Sequence, residues 1–232
     1  MKAIEHTVAG VDVGGTKKGF HAIALTDARV VATLTTRRAE DVVGWCRRQG
    51  VSAVGIDAPC QWSLTGRARA CERELTGLGI SAFCTPRQDI GEVHPFYRWM
   101  VNGADLFRLL VPHYRLYDGR APVVGSLCFE TFPQAIACRL AGETLLAKHK
   151  RVDRRRLLER AGISSDGLTS IDLVDARETV ARASTRSMRR CALWPLGMSS
   201  PTASTPTATR PKDSSWCQAV ARSHLISNVT IR

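Results

Sequence analysis

The first 57 residues limit the fold most strongly, because three apolar segments separated by short turns are followed by a helix and a fourth apolar segment. HTVAGVDV, GFHAIAL and RVVATLTT have the length and composition of strands, with GGTKKG and TDA as the turns between them. Turns this short join antiparallel neighbours. AEDVVGWCRRQG then predicts a helix that ends at Gly50, and VSAVGIDAP predicts a buried strand that ends at Asp57.

This order of elements predicts an α/β fold with a ribonuclease H-like mixed sheet flanked by helices. In such a sheet the first three strands form an antiparallel meander, and the fourth lies parallel to the first on its other side. A fifth strand is expected in APVVGSLCFETFP. Helices are expected in GRARACERELTGLG, PFYRWMVNGADLFRLLVPH, PQAIACRLAG and KHKRVDRRRLLERAGI, and one is expected to begin in LTSIDLVDA.

Length and composition suit one globular domain. The chain has 232 residues, of which 44% are hydrophobic and 23% are charged. We assign residues 1–176 to this domain and residues 177–232 to an irregular tail, because SSPTASTPTATRPKDSS lacks the apolar pattern of a helix or strand. The net charge of +12 favours an acidic partner such as nucleic acid, either DNA or RNA.

Cysteine usage and hydropathy predict a cytoplasmic protein. The eight cysteines form no CxxC pair and show no zinc-ligand spacing, so buried free thiols are expected. The sequence has no charged leader before an apolar segment and no apolar run of about 18 residues. We therefore expect a reducing cytoplasm and no membrane attachment, while the oligomeric state stays open.

Acidic residues stand at the ends of predicted core elements, where an α/β sheet places its site. They are Asp12, Asp57, Glu130, Asp172 and Asp175. Clustered carboxylates repel one another, and a hard divalent cation such as Mg²⁺ or Mn²⁺ would compensate for that repulsion. Each acid also has a structural interpretation: an aspartate after a strand caps a turn, Glu130 pairs with Arg139, and acids in a first helical turn favour the helix dipole.

Six motifs in order resemble a bacterial family catalogued as domain of unknown function 429, which is described as a predicted ribonuclease H-like nuclease. They are GVDVGGTKKGFHAIAL, VGIDAPCQWS, CERELTGLGI, FYRWMVNGADLF, ETFPQAIACRLAG and LTSIDLVDA, and the resemblance extends over residues 7–176. The resemblance implies metal-dependent hydrolysis of phosphodiester bonds through an acidic two-metal site. It assigns catalytic roles to Asp12, Asp57, Glu130, Asp172 and Asp175, and all of these except Glu130 would also be metal ligands.

Two other functions are compatible with the same residues. VDVGGTKKGFHAIALTD is similar to the first phosphate loop of sugar kinases in the actin-like ATPase superfamily, where an aspartate and paired glycines approach ATP. Such a kinase closes two domains over its nucleotide, and this length suits only one. A non-catalytic protein that binds nucleic acid or a nucleotide on a ribonuclease H-like scaffold is the third possibility.

Basic residues near the acids predict contacts with phosphates of a nucleic acid. We expect such contacts from Lys17, Arg69, Arg73, Lys150 and Arg154. Arg69 and Arg73 fall with Arg67 on one predicted helix, whereas a run such as KHKRVDRRR is also typical of a solvated helix face. The aromatic residues of PFYRWM are chemically able to stack on bases, although their helical spacing favours packing in the core.

The tail after Ala176 leads to a hypothesis about the reading frame. Residues 177–232 carry nine Lys or Arg and two acids, where the resembling family has an apolar helix. A shifted reading of Ser187–Pro195 permits the apolar string DAALCALA, which matches that helix. A shifted reading of Ala183–Arg189 also permits I-D-x-x-D-A, so it stays open which Asp pair belongs to the native site.

We predict that resequencing the gene around codons 176–190 reveals a frameshift. The shifted frame restores an apolar helix, and such a helix buries one face of the sheet. A single uninterrupted frame across these codons would contradict the hypothesis.

Overall fold

The computed structural model describes residues 6–117, 125–142 and 151–163, with side chains described from Arg156 onward in the last range. The predicted tail 177–232 lies outside these ranges. The strands are β1 (Thr7–Val13), β2 (Phe20–Thr26), β3 (Arg29–Thr36), β4 (Val51–Asp57), β5 (Arg115–Leu116) and β6 (Leu127–Glu130). The helices are α1 (Ala39–Arg48), α2 (Ala70–Gly77), α3 (Gln88–Val93), α4 (Arg98–Leu110), α5 (Pro133–Ala141) and α6 (Arg151–Arg160).

The described strands form one six-stranded mixed sheet in the order β3-β2-β1-β4-β6-β5. β1, β2 and β3 form the predicted antiparallel meander. β4 runs parallel to β1 on its other side, and β6 runs parallel to β4. The ribonuclease H-like topology predicted from the order of elements is therefore confirmed.

Two apolar clusters cover the two faces of the sheet. On one face, odd-numbered residues of β1, including Val11, pack with α1 and α4, whose Val42 and Leu106 are fully buried. On the other face, Val8 of β1 and Ala53 of β4 pack with Leu158 of α6. Alternation along each strand thus sends successive side chains into two separate cores.

Several element boundaries differ from the predicted ones. The helix predicted from Pro95 begins only at Arg98, because Pro95–Tyr97 form a single 3-10 turn in which the Phe96 N–H donates to His94 Nδ1. Phe96 therefore leaves the helical face and is 52% exposed instead of packed in the core. α3 and the short β5 were not predicted, since neither has enough residues for a periodic pattern.

The described cysteines are free thiols, and four of these six are buried. Burial raises the pKa of Cys46 and of Cys128 to about 12. Cys84 departs from the prediction of buried thiols because it is exposed. Within the described ranges, no helix is both long and apolar enough to cross a membrane.

A close approach between α4 and the end of β4 is possible only because Gly103 has no side chain. A Cβ at position 103 would overlap the Cβ of Ala58, which directly follows β4. We predict that Gly103→Ala lowers the free energy of unfolding by about 1–3 kcal/mol through overpacking, although alanine favours helix by about 1 kcal/mol.

Gly44→Ala in α1 is the matched control for this substitution. A Cβ there would meet only the flexible end of the Arg48 side chain, so the free energy of unfolding should rise by up to about 1 kcal/mol. Urea unfolding of both variants measures the two changes. A Gly103→Ala variant as stable as the parent chain would show that the contact with Ala58 is not tight.

Candidate functional site

Two carboxylates meet where adjacent parallel strands end. Asp12 of β1 is paired in register with Asp57 of β4, and the preceding pair on the same face is Gly10 with Gly55. Asp12 is only 6% exposed, whereas Asp57 is half-buried. Because both strands run in the same direction, their carboxyl ends share one edge of the sheet, as the sequence predicts for such a site.

The GGTKKG turn places a lysine on one of these carboxylates. Lys18 Nζ donates to Asp12 Oδ2 at 2.6 Å. The turn is held by the hydrogen bond from Gly14 N to Gly19 O, and the Asn102 side-chain amide of α4 donates to Gly14 O. A Cβ at position 14 would lie 2.5 Å from Lys18 Cβ, so glycine at this position allows the Lys18 side chain to cross the turn.

Glu130, at the end of β6, is held by an arginine. Arg69 donates from Nη1 to Glu130 Oε2 at 2.9 Å and from Nη2 to Glu130 Oε1 at 2.6 Å. The backbone N–H of Cys60 also donates to Glu130 Oε2. Glu130 thus carries a bidentate ion pair and a backbone hydrogen bond, the geometry of a strongly fixed carboxylate.

The same arginine also binds Glu72 of α2. Its Nε donates to Glu72 Oε1 at 2.7 Å, while its backbone N–H donates to Glu72 Oε2 at 2.8 Å. Both the N–H and the hydroxyl of Thr85 donate to Glu72. We refer to Arg69, Glu72 and Glu130 as the arginine clamp, because they connect α2, β6 and the loop that contains Thr85.

The electrostatic balance of the clamp favours the charged form of its arginine. Burial by itself lowers the pKa of Arg69, but the adjacent Glu130 carboxylate, with smaller contributions from Cys71 and Glu72, more than offsets this and holds the pKa above its ordinary value. The Arg69 side chain is only 7% exposed. It is therefore a permanently charged, doubly paired group.

These positions correct one sequence interpretation and add an ion pair that was not predicted. Arg67 and Arg69 do not lie on a helix with Arg73, because α2 begins at Ala70 and Arg69 is the residue that precedes it. Glu130 forms its ion pair with Arg69, which is 61 positions away, and this partner was not predicted from the sequence. The sequence interpretation considered only the nearby Arg139 as a partner of Glu130, because no pattern in the sequence indicates a contact between residues 61 positions apart.

A cleft of about 230 Å³ joins these groups. Asp12, Lys18, Asp57, Arg69, Glu72 and Glu130 form its charged part. Aromatic and aliphatic side chains form the rest of its wall, and these include Phe83, Trp99, Met100 and Phe132. The cleft therefore offers carboxylates and a cation beside an apolar surface.

The cleft brings together three of the five predicted catalytic acids, namely Asp12, Asp57 and Glu130. Asp172 and Asp175 lie outside the described residues. Within the described ranges, no three His, Cys, Asp or Glu side chains are grouped so that they could hold a metal ion. The described residues therefore bring Asp12 and Asp57 to one edge of the sheet without a third such group beside them.

The predicted nucleic-acid contacts are distributed unevenly around this cleft. Lys17 is exposed in the GGTKKG turn and Arg73 is exposed on α2, whereas Arg69 is buried in the clamp. Arg154 falls within α6, and Lys150 lies outside the described residues. Neither Lys18 nor Glu72 was predicted from the sequence as a site residue. Glu72 did have a local signal, because it stands three residues after Arg69, at the position of a capping box.

Comparisons with known proteins place the chain in a family. A family model described as "Protein of unknown function (DUF429)" matches residues 10–192, a range that continues past the domain boundary predicted at Ala176. No curated protein matches the chain.

The solved structures that are similar to it include two for which the comparison covers 75% of this chain and 90% of the other. They are Thermus thermophilus RuvC, with 16% identity and a TM-score of 0.37, and T. thermophilus RuvC in complex with Holliday junction substrate, with 14% identity and a TM-score of 0.36.

We predict that removal of the clamp arginine strongly destabilises the domain. Arg69→Met leaves Glu72 and Glu130 without their shared cation, and breaking a buried ion pair in this way costs about 3–5 kcal/mol. Arg73→Met is the matched control: Arg73 is exposed on α2, the helix that Arg69 precedes, and its guanidinium donates to Ala68 O at the surface, so the change should stay within about 0.5 kcal/mol. Equal unfolding midpoints in urea for the two variants would contradict the role given to the clamp.

Proposed function

The chain belongs to the DUF429 family, and from the geometry of its own site we propose that it is a metal-dependent hydrolase of phosphodiester bonds in nucleic acid. The observation that carries this proposal is the register pairing of Asp12 with Asp57 at the ends of two parallel strands. Both carboxylates line one cleft. Paired carboxylates in a cleft that also holds a lysine suit a substrate that is itself an anion.

The donor set of this pair fits a hard divalent cation. Mg²⁺ is bound in proteins by one or two carboxylates, with waters and substrate phosphate oxygens completing its shell. The Lys18 ammonium, 2.6 Å from Asp12 Oδ2, supports this assignment, because a positive charge already lies at the pair. Asp12 and Asp57 would hold Mg²⁺ or Mn²⁺, which when bound would neutralise phosphate charge and lower the pKa of a water molecule.

A third carboxylate for a two-metal site would come from Asp172 or Asp175. In support, Ile163 packs with Val8 and Ala53, on the sheet face where strand alternation also puts Asp12 and Asp57. Ile163 precedes Asp172 by nine positions. The chain thus leaves the described region on the side of the sheet that carries the acid pair.

Glu130 has a positioning role in this proposal. Strand alternation puts it on the face of Cys128, opposite to that of the acid pair, and the Arg69 guanidinium engages both of its oxygens. A carboxylate so engaged is a poor metal ligand. It instead fixes the Cys60 backbone, three residues after Asp57, and so holds the exit of β4.

The residues of the chain divide the remaining work. Asp12, held rigidly in a central strand, fixes the orientation of its carboxylate, and the more exposed Asp57 is accessible to water. Lys18 has 40% of its side chain exposed, so its ammonium is able to turn from Asp12 to a phosphate oxygen of the substrate. Lys17, Arg73, Lys150 and Arg154 would hold the strand through its phosphates without reading its sequence.

We predict that Asp12→Asn and Asp57→Asn each lower the rate of hydrolysis by at least about 100-fold, because each removes a ligand charge while keeping the shape of the side chain. The assay uses labelled single- and double-stranded DNA and RNA with Mn²⁺. Asp105→Asn, on the exposed part of α4, is the control and should cleave at the parental rate. Undiminished cleavage by Asp12→Asn, or phosphorylation of a sugar from ATP by the parent chain, would contradict the proposal.

Lys18 provides a second, opposite test of the same site. Lys18→Met removes the cation that competes for Asp12, so the affinity for Mn²⁺ should rise by about two- to fivefold, as expected for loss of a partly exposed ion pair. Asp12→Asn should lower that affinity. Isothermal titration with Mn²⁺ alone measures both, and a lower affinity in Lys18→Met would show that the lysine and the metal do not share a position.

A further inference from the structure

The segment between α2 and α4 exposes an unusual amount of aromatic and aliphatic surface. Phe83 is 55% exposed and Phe96 is 52% exposed, while Ile90 and Val93 are exposed between them. Isolated exposed apolar residues are ordinary, but a contiguous group marks a surface that meets a ligand or partner. We call Phe83, Phe96 and Trp99 the aromatic ledge.

The rings of the ledge contact one another at their edges. The Phe83 ring centroid lies 5.7 Å from that of Phe96 and 6.2 Å from that of Trp99, with interplanar angles of 63° and 62°. Trp99 is partly buried and packs against the main apolar cluster, so it anchors the ledge to the domain. Mutual edge contacts hold the rings in place while about half of the Phe83 and Phe96 surface stays open to solvent.

The ledge is continuous with the acid pair. Phe83 and Trp99 line the same cleft as Asp12 and Asp57, and Lys18 also lines it with 40% of its side chain exposed. The exposed face of an aromatic ring beside carboxylates and the partly exposed Lys18 ammonium is complementary to a nucleotide, which has a flat base and an anionic phosphate. The cleft volume of about 230 Å³ is below that of typical small-molecule pockets, about 300–1,000 Å³, so we expect only a small part of a ligand to enter it.

We propose that the aromatic ledge is a stacking site for an unpaired nucleobase, which makes single-stranded or unpaired segments of nucleic acid the substrate class of the cleft. A base inside a duplex has both faces covered by its neighbours, so only an unpaired base offers a face to Phe83. The inference rests on the proposed function for the position of the phosphate at the acid pair. Stacking itself requires neither metal nor hydrolysis.

Binding of labelled strands to the full chain in EDTA tests the ledge separately from the chemistry. The probes are a short thymidine strand, a strand of the same length with abasic sites, and a duplex of the same length. The abasic strand carries the same phosphates and lacks the bases. We expect the thymidine strand to bind more tightly than both other probes, and Phe83→Ala to weaken its binding by about 5- to 100-fold, the usual effect of losing one aromatic stacking partner.

Two variants keep this test specific to stacking. Phe83→Trp retains an aromatic face and should restore binding, whereas Val93→Ala, which removes exposed apolar surface outside the cleft, should leave binding unchanged. A 2-aminopurine in the strand should change its fluorescence on binding to the parent chain and not to Phe83→Ala. Thermal unfolding followed by circular dichroism checks that Phe83→Ala is folded.

The results that would overturn the inference are distinct from those that would overturn the proposed function. Equal affinity for the thymidine and abasic strands, or unchanged binding by Phe83→Ala, excludes base stacking even if the chain cleaves nucleic acid. Loss of self-association in Phe83→Ala with unchanged strand binding would assign the ledge to a second copy of the chain instead. Specific, Phe83-dependent binding without cleavage would support the stacking site while contradicting hydrolysis.

Discussion

The parallel pairing of β1 with β4 is the constraint on which the arrangement of the whole domain depends. Two parallel neighbours need a crossover connection, and here it runs through β2, β3 and α1 before the chain returns beside its own first strand. This return brings Asp12 and Asp57 to one edge in register. Apolar clusters cover both faces of the sheet around β1 and β4. The two aspartates therefore lie at the ends of buried, hydrogen-bonded strands, and these strands fix their backbone positions.

The arginine clamp gives the other side of the cleft a comparable rigidity by different means. The segment from Ala58 to Arg69 contains no helix or strand, yet hydrogen bonds hold it in place. The Ser63 hydroxyl donates to Arg67 O within the segment, while the Cys60 N–H and the Arg69 guanidinium donate to Glu130 of β6. One buried guanidinium with three nitrogen contacts to Glu72 and Glu130, together with the Arg69 backbone N–H that donates to Glu72, replaces the regular hydrogen bonding that a secondary-structure element would provide. Burial of these charges is unfavourable unless they contact one another, so the three residues stabilise the fold only when all three are present.

The first four strands and their order in the sheet were predictable, whereas the two-residue β5 was not. Alternating apolar residues set the length of β3, and the short turns after Val13 and Thr26 dictated antiparallel neighbours. The candidate site was predictable only in part. Asp12 and Asp57 end strands, which a sequence shows directly, but the partner of Glu130 is 61 residues away and no periodicity encodes such a contact.

The positions of the aromatic residues in PFYRWM were also predictable only in part. Their spacing in PFYRWM indicates a helix, and a helix would have turned them toward the core. The 3-10 turn at Pro95 shifts the start of α4 to Arg98 and leaves Phe96 on the surface. In the sequence Phe83 is a lone aromatic residue in a loop. Its place in the aromatic ledge becomes apparent only in the fold, where its ring lies 5.7 Å from that of Phe96.

The lysine on Asp12 has a consequence for how the domain reaches its folded state. Carboxylates brought together by a sheet oppose their own assembly unless something balances their charge. Because Lys18 lies in the turn that directly follows β1, its ammonium arrives with the first hairpin and contacts Asp12 within the same short stretch of chain. Lys18 thus supplies a counter-ion for Asp12 from within the first hairpin, so the charge of this carboxylate is balanced by the chain itself.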